Sequence, residues 1–216
     1  MDGGARRYST IDRLLIQADH ALRTVFGRPQ VSERANPATA HPLPALDEHE
    51  AHESARLMRI NHAGEVSAQA LYQGQAMTAR LPEVRGQMER AAIEENDHLV
   101  WCAERIEELG GRTSLLNPLW YAGSFTIGAV AGLVGDRWSL GFIVETERQV
   151  IEHLEGHLSR LPAADHRSRA ILEQMKEDEA HHGTTALNAG AAELPPPIKA
   201  AMRLTSRVMT GAAYYM

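Results

Sequence analysis

Apolar residues recur along this chain at the spacing of a helix face, in stretches that proline and glycine separate. Residues 11–27 have this pattern and end at a glycine, and a longer stretch runs from about residue 47 to 80. An apolar residue every three or four positions indicates an amphipathic helix, and proline is favoured in a helix's first turn. Because the few β-branched residues are scattered and do not alternate, we predict an all-α protein. Further helices are predicted at about 82–110, 139–160, 164–189 and 198–213.

Residues 28–47 interrupt this pattern with four prolines, at positions 29, 37, 42 and 44. Proline fixes φ and lacks an amide hydrogen, so such a cluster is typical of a connecting segment. We therefore predict two parts: an N-terminal helix with a proline-rich linker in residues 1–47, and one helical domain in residues 48–216. A chain of 216 residues is long enough for one such domain with a sizeable core.

One stretch of the chain, Thr113 to Gly135, holds no charged residue. Its apolar centre, residues 119–134, is interrupted by Gly123, Gly128 and Gly132. A helix that spans a bilayer needs about 20 predominantly apolar residues, so this stretch is too short for one. It fits a buried core helix and a segment lying in a membrane interface equally well.

The composition excludes several classes of function. A net charge of −6 and a pI near 6.0 argue against nucleic acid as a main partner. The single cysteine, Cys102, excludes a disulfide framework and a cysteine-ligated metal module, and we expect it to be a small buried apolar residue. No apolar run of signal-peptide length lies near the N-terminus, so a cytoplasmic chain is expected.

A Glu-x-x-His motif occurs twice, as Glu95 with His98 and as Glu179 with His182. Residues three apart share a helix face, so each motif can direct a carboxylate and an imidazole at one point. Glu65 lies 17 residues before Pro82 and Glu95 lies 13 after it, which places both near the same depth of a helical hairpin. The second half repeats the arrangement around Pro162, with Glu147 15 residues before it and Glu179 17 after it.

Four carboxylates and two imidazoles meeting in a bundle core predict a metal site. Unpaired buried carboxylates are very costly, and a multivalent cation offsets that cost. The same ligand set occurs in ferritin-like di-iron and di-manganese proteins, and its oxygen and imidazole donors suit iron or manganese. The candidate ligands are Glu65, Glu95, His98, Glu147, Glu179 and His182.

Alternatives to this ligand set remain open at this point. Glu145 competes with Glu147, and Asp178 with His181 has the same spacing as Glu179 with His182. Glu94 and Asp97 flank the first motif and are expected to face solvent. Three further polar residues, which could contact the site or lie elsewhere, are Tyr72, His62 and His153.

Several motifs together resemble the demethoxyubiquinone hydroxylase family of ubiquinone biosynthesis, from roughly Arg56 to the C-terminus. In that family a carboxylate-bridged di-iron centre is held by the same six positions that the spacing selects, and His153 matches a family histidine near the centre. The late motif reads "DEAHHG", which leaves the register between His181 and His182 open. The motifs are "INHAGEVSAQALYQGQ" (60–75), "EENDHL" (94–99), "NPLWYAGSFTIGAVAGLVG" (117–135), "VETERQVIEHL" (144–154) and "EDEAHHG" (177–183).

The resemblance implies a fold and a reaction. The fold is a ferritin-like four-helix bundle with an additional apolar helical segment, residues 117–144, for membrane docking. The reaction is hydroxylation of the ring of 2-polyprenyl-3-methyl-6-methoxy-1,4-benzoquinol, with two iron ions per chain, O2, and electrons from NADH directly or through the bound quinol. Competing interpretations are a ferritin-like iron oxidase or storage protein and another di-iron oxygenase.

The resemblance also implies a location and partners. The isoprenoid tail of the substrate lies in the bilayer, so peripheral attachment to the cytoplasmic face of the inner membrane is expected, without a spanning helix. Remaining apolar faces could pair two chains as a homo-oligomer or receive other proteins of ubiquinone biosynthesis.

Overall fold

A computed structural model describes residues 9–27 and 33–216 of the protein, and within these ranges every regular element is helical. The predicted all-α class is therefore confirmed. The helix expected to begin at residue 139 begins earlier, at Asp136, directly after the one-residue break at Gly135. The elements are α1 (Thr10–Phe26), a 3-10 helix (Pro37–Ala40), α2 (Glu48–Thr78), α3 (Pro82–Glu108), α4 (Asn117–Val134), α5 (Asp136–Arg160), α6 (His166–Asn188) and α7 (Pro196–Tyr215).

Four long helices form the central bundle as two antiparallel hairpins. Pro82 occupies the first turn of α3 and ends the α2–α3 hairpin loop, as its position predicted. The side chain of Asp165 caps the N-terminus of α6 by accepting from the Ser168 amide, which ends the α5–α6 loop. Within the bundle α2 packs on α3, α5 packs on α6, and α3 also contacts α6.

Two apolar clusters of the bundle core lie on either side of a charged layer. One cluster includes Met58, Trp101 and Met175, and the other includes Tyr72 and Met88. On each of the four helices, a buried glutamate lies between a residue of one cluster and a residue of the other. The charged layer is therefore enclosed by apolar packing at both ends, which excludes water and strengthens electrostatic interactions inside it.

The end of the proline-rich segment packs on the bundle. Ala38 is only 1% exposed and joins the apolar cluster around Trp101. Asp47 then caps α2 by a reciprocal pair of hydrogen bonds with Glu50, so the boundary expected at residue 47 coincides with a helix start. The division into a linker and a domain stays a prediction, while residues 33–41 share the packing of the domain.

Helix α4 lies along α2 at a distance that only glycine permits. A Cβ atom on Gly128 would lie 2.2 Å from the Leu71 carbonyl oxygen, and one on Gly74 would lie 2.3 Å from the Phe125 carbonyl oxygen. The opposite face of α4 is exposed and apolar, with Val130 55% and Leu133 61% accessible. The interpretation as a buried core helix therefore describes the face of α4 that packs on α2, and a membrane interface at the exposed face stays a prediction. Among the described helices, none combines the length and hydrophobicity that crossing a bilayer requires.

Candidate metal centre

The six residues selected by spacing meet in the charged layer of the bundle. Each of the four helices supplies one glutamate, and α3 and α6 each add the histidine one turn later. The least buried of the six, His182, is only 7% exposed. The set consists of Glu65, Glu95, His98, Glu147, Glu179 and His182.

These side chains divide into two groups that share a carboxylate. In each group, the candidate ligand atoms lie within 4.8 Å of one another. The first group comprises Glu65, Glu95, His98 and Glu179, and the second comprises Glu147, Glu179 and His182. Two adjacent groups of this kind provide places for two metal ions.

Glu95 and Glu179 lie between the two groups. Glu95 places Oε2 at 3.0 Å from His98 Nδ1 and Oε1 at 3.5 Å from His182 Nδ1. Glu179 places Oε1 at 3.3 Å from His98 Nδ1 and Oε2 at 3.3 Å from His182 Nδ1. Each carboxylate thus directs one oxygen at each half of the site, as a bridging ligand does, whereas Glu65 and Glu147 belong to one half each.

The outward nitrogen of each histidine contacts a carboxylate of the opposite helix. His98 Nε2 lies 2.8 Å from Asp178 Oδ2, and His182 Nε2 lies 2.6 Å from Glu94 Oε2. When Nδ1 faces a metal, Nε2 carries the proton that it donates to the carboxylate, which fixes the tautomer and the ring orientation. We call Asp178 and Glu94 the brace carboxylates.

The structure corrects the expectation that Glu94 and Asp97 face solvent. Glu94 was expected to face solvent, but its carboxylate reaches the site because α3 and α6 lie side by side. Asp97 was also expected to face solvent, but it is only 1% exposed and its carboxylate forms an ion pair with Arg34. The sequence signal for the braces was an acidic residue directly before each paired glutamate, as "EE" at 94–95 and "DE" at 178–179.

The geometry places the alternative candidate ligands in different surroundings. His181 is exposed, whereas His182 is buried in the cluster, and Asp178 serves as the partner of His98. Glu145 is buried but accepts from Arg148 and Gln149, outside both groups of candidate ligands that the described residues form.

Of the other polar residues, Tyr72 contacts the cluster, and the contacts described for His153 and His62 are with residues outside it. Tyr72 is 1% exposed and its hydroxyl donates to Glu147 Oε1, which makes it a direct neighbour of the site. His153 packs its ring 6.4 Å from that of His157, and His62 is buried against Asn117. A contact between His153 and the centre stays a prediction.

Burial and the close approach of charged groups shift the pKa values of several side chains in the charged layer. Burial and the neighbouring Glu95 raise the pKa of Glu65 well above 4.5, and burial and Glu179 do the same to the pKa of Glu147. Burial alone would lower the pKa of His182, but the carboxylates around it outweigh burial and raise that pKa to about 9. Without a cation, the cluster therefore retains protons that it would release in water.

Three buried oxygens in the cluster test whether the residues fit a metal. Glu65 Oε2, Glu95 Oε1 and Glu147 Oε2 accept no hydrogen bond from any residue that the structure describes. A buried carboxylate oxygen without a donor is costly, and a metal ion at each group would satisfy these atoms. The four carboxylates and two imidazoles are ligands of iron-type metals, so the residues fit a di-iron site.

A cavity of about 350 Å³ opens beside the site between α3, α5 and α6. His182 and Tyr72 lie in its wall next to the cluster, and Leu140 and Ile143 provide an apolar side. Small side chains at Ala91 and Ala186 contribute to its lining. The rest of the lining includes the charged residues Glu83, Arg90 and Glu94, so the cavity has an apolar side and a polar side. A cavity of this kind beside candidate metal ligands is a candidate substrate pocket.

Residues 52–213 match the family model described as "Ubiquinone biosynthesis protein COQ7". The chain belongs to this family. The match covers α2 to α7 nearly completely and includes all six residues of the cluster. The resemblance drawn from the motifs is thereby confirmed.

Curated relatives extend the likeness beyond the range that the family model covers. The chain is 62% identical over 211 residues to the 3-demethoxyubiquinol 3-hydroxylase of Nitrosococcus oceani. The matched residues make up 98% of this chain and 99% of that one. It is 54% identical over 213 residues to the protein of the same name from Acinetobacter baylyi, which is 98% and 100% of the two chains. Most residues before 48 are therefore part of the likeness to these relatives, although the motifs begin only later.

One solved structure supports the fold assignment. A dodecameric thioferritin from Bacteroides fragilis, described as bacterioferritin-related, matches with a TM-score of 0.52 and 20% identity. The match covers 66% of this chain and 85% of that chain. At this identity the likeness concerns the fold alone, and it confirms the expected ferritin-like four-helix bundle of this family member. The expected docking of α4 to a membrane stays a prediction.

Proposed function

We propose that this protein hydroxylates the ring of 2-polyprenyl-3-methyl-6-methoxy-1,4-benzoquinol in ubiquinone biosynthesis, with O2 as the oxygen source. The observation that carries this proposal is the six-residue, two-group cluster in a chain 62% identical to a curated 3-demethoxyubiquinol 3-hydroxylase. The family model, which is named for ubiquinone biosynthesis, supports the same pathway.

The proposed cofactor is a pair of iron ions held by the cluster. Glu65 and His98 would hold one ion, Glu147 and His182 the other, and Glu95 and Glu179 would bridge them, as the two groups of ligand atoms indicate. A ferrous pair supplies two electrons to O2, which by itself does not react readily with a closed-shell ring, and NADH is the proposed source of replacement electrons. The protein's own task is to hold these ligands rigidly in a dry layer.

The cavity between α3, α5 and α6 is the proposed position of the quinol ring. Its volume of about 350 Å³ accommodates a substituted six-membered ring with the start of the tail, and Leu140 and Ile143 provide an apolar side for the ring to pack against. Tyr72 lies in the wall of this cavity, and its hydroxyl donates a hydrogen bond to Glu147, which holds that carboxylate in place. A ring seated beside His182 would lie next to the half of the site that contains Glu147.

The proposed location is the cytoplasmic face of the inner membrane, with α4 in the lipid interface. The isoprenoid tail is insoluble in water, so an enzyme acting on it needs access to the bilayer. The outer face of α4 provides an uncharged apolar surface for this contact, with Leu119 59% and Val130 55% exposed. A homo-oligomer and partner proteins of the same pathway stay predictions.

An iron oxidase or storage role is the rival interpretation. It would use the same six ligands, and the thioferritin match is consistent with the shared fold. It assigns no role to the cavity beside His182, and the curated relatives do not favour it. Assembly into a large soluble shell would be its signature in size-exclusion chromatography.

The decisive experiment measures quinones from a strain that lacks this gene, complemented with the wild type or with Glu179→Ala. The variant removes a bridging carboxylate, so we expect both the deletion and the Glu179→Ala strain to accumulate the demethoxy precursor at the expense of ubiquinone. Glu173→Ala, an exposed position on the same helix, is the matched control and should restore ubiquinone. A normal quinone pool in the deletion strain, with no second hydroxylase present, would contradict the proposal and favour iron handling.

A further inference from the structure

Both brace carboxylates also contact an arginine. Asp178 contacts Arg34, a residue of the proline-rich segment, and Glu94 contacts Arg90, which also pairs with Glu33 of that segment. Arg34 Nη1 lies 2.8 Å from Asp178 Oδ2, the same oxygen that faces His98 Nε2. On the other side, Arg90 Nε lies 2.8 Å from Glu94 Oε1, and its Nη2 lies 2.7 Å from Glu33 Oε2. Glu33 and Arg34 belong to a segment that the family model does not cover. Arg34 is thus linked to His98 through Asp178, and Glu33 is linked to His182 through Arg90 and Glu94.

The segment is fixed to the bundle by contacts with α3. Asp97 Oδ1 accepts from the Glu33 amide at 2.7 Å, and Asp97 Oδ2 accepts from Arg34 Nε at 2.8 Å. Asn36 Nδ2 donates to Glu104 Oε2 at 2.9 Å, about two turns farther along the helix than Asp97. A buried aspartate such as Asp97 needs donors of this kind, so Arg34 is held in a defined place relative to α3.

Arg34 is connected to His98 through two other side chains, Asp178 and Trp101. Through Asp178 it determines where the oxygen that accepts from His98 Nε2 lies. Its guanidinium carbon also lies 4.9 Å from the centre of the Trp101 ring, and that ring lies 5.4 Å from the ring of His98. The hydrogen bond fixes the rotation of the imidazole, and the indole limits its tilt.

We propose that Arg34 is a positioning residue for the metal centre, which acts on His98 through Asp178 and Trp101. This inference rests on the proposed function, because it requires a metal at the cluster. Loss of a residue that contacts a ligand typically lowers metal affinity by 10–100-fold. Arg34 acts one contact farther out, and Gln174 still donates to Asp178 Oδ1, so the expected loss is at the lower end, about tenfold.

The test uses the full-length apoprotein and Co²⁺, whose visible absorption reports ligand geometry. Arg34→Met keeps an apolar stem over Trp101 but removes the charge and both ion pairs. We expect a dissociation constant for Co²⁺ that is about tenfold larger and a changed visible spectrum, because the imidazole is no longer held at one angle. The matched control is Asn36→Ala, which loosens the same segment at Glu104 without touching a brace, and it should match the wild type in both measurements.

Three outcomes distinguish the proposals. If the wild type binds no Co²⁺ at the cluster, the proposed di-iron function fails. If the wild type binds but Arg34→Met shows the same affinity and spectrum, the role of Arg34 is refuted and the di-iron proposal is unaffected. Should Arg34→Met not fold, judged by helical circular dichroism, Arg34→Gln retains a donor for Asp97 and decides by the same criteria.

Discussion

Glu94 and Asp178 each precede a bridging glutamate by one position, and each reaches the histidine of the other helix. On one helix, neighbouring residues point about 100° apart, so the glutamate enters the core while its neighbour lies toward the adjoining helix. α3 and α6 are in contact, and the neighbour's carboxylate therefore meets the other motif's imidazole. The repeated unit is an acidic residue followed by Glu-x-x-His, and the additional carboxylate contacts a histidine instead of joining either group of candidate ligand atoms.

The two adjacent histidines of the late motif should respond very differently to replacement. His182→Ala removes a buried ligand candidate, and we expect iron content to fall and hydroxylation to drop by more than about 100-fold. His181→Ala changes an exposed side chain and should retain iron and most activity. Iron analysis and a quinol hydroxylation assay on the pair check this, and a reversed pattern would place the ligand at His181.

At the element scale, α4 combines a glycine-packed face with an exposed apolar face. Close approach of two helix backbones requires the absence of side chains at the crossing, and Gly74 and Gly128 meet that requirement on opposite helices. The interruption by glycines that lowered the hydrophobicity of this stretch is thus the reason that it packs tightly on α2. Its exposed apolar face is the surface proposed to contact lipid.

Two glycines of α4 should give stability effects of opposite sign. An added Cβ at Gly128 would lie 2.2 Å from the Leu71 carbonyl oxygen, so Gly128→Ala should force the helices apart and lower the free energy of unfolding by about 1–3 kcal/mol. An added Cβ at Gly123 meets no described atom within 4 Å, and Gly123→Ala should raise that free energy by ~0.5–1 kcal/mol. Urea unfolding followed by circular dichroism measures both, and equal effects would show that the close packing is not the cause.

The cavity between α3, α5 and α6 should accept a blocking substitution without loss of the metal site. Ala91 lines it and is not one of the six cluster residues. Ala91→Phe fills space proposed for the quinol ring, so we expect hydroxylation to fall at least tenfold while iron content stays at the wild-type value. Glu89→Phe, at an exposed position of α3, controls for the added ring. Unchanged activity in Ala91→Phe would place the substrate elsewhere.

On the scale of the whole molecule, stability and metal binding are coupled through the charged layer. Four carboxylates enclosed in the core oppose folding unless protons or cations neutralise them. The apolar clusters on either side stabilise the fold around this unfavourable layer, and the proposed metal ions would find their candidate ligands already in place.

The apoprotein should become less stable as pH rises, and the metal-loaded protein should not. Raised pKa values mean that folded Glu65, Glu147 and His182 hold protons more tightly than the unfolded chain does. Stability from such groups is present at low pH and is lost as pH rises, above about 4.5 for the glutamates and between 6.5 and about 9 for His182. We expect a loss on the order of 2 kcal/mol from pH 6 to 9, measured by thermal unfolding after chelation. A flat profile for the apoprotein would contradict the proton uptake inferred for the cluster.

The membrane proposal predicts that charge on the outer face of α4 releases the protein from lipid. Val130→Glu combined with Leu133→Glu places two carboxylates in the proposed interface, and binding to inner-membrane-like vesicles should fall at least tenfold in a flotation assay. Ile93→Glu changes an exposed apolar residue on α3 and should bind like the wild type. Equal binding of all three proteins would exclude α4 as the lipid contact.

Much of this protein could be predicted from its sequence because the relevant patterns are local. Helix periodicity and the Glu-x-x-His motifs involve residues three or four apart, and the prolines at 82 and 162 place the hairpin turns. From these positions, the relative depth of Glu65 and Glu95, and of Glu147 and Glu179, follows from the constant rise of a helix. The all-helical class, the six candidate ligands and the family were therefore available before any coordinates.

The surroundings of the site were decided only by tertiary structure. The brace contacts join residues 80 and 88 positions apart, and the contact from Arg34 to Asp97 spans 63. No local pattern specifies which faces of two helices meet or where a proline-rich segment settles, since those outcomes depend on how all side chains pack together. The sequence by itself determined the helices and the candidate ligands that they carry. Packing determined that Glu94 and Asp178 contact the histidines, that residues 33–38 lie on the bundle, and that only one face of α4 is buried.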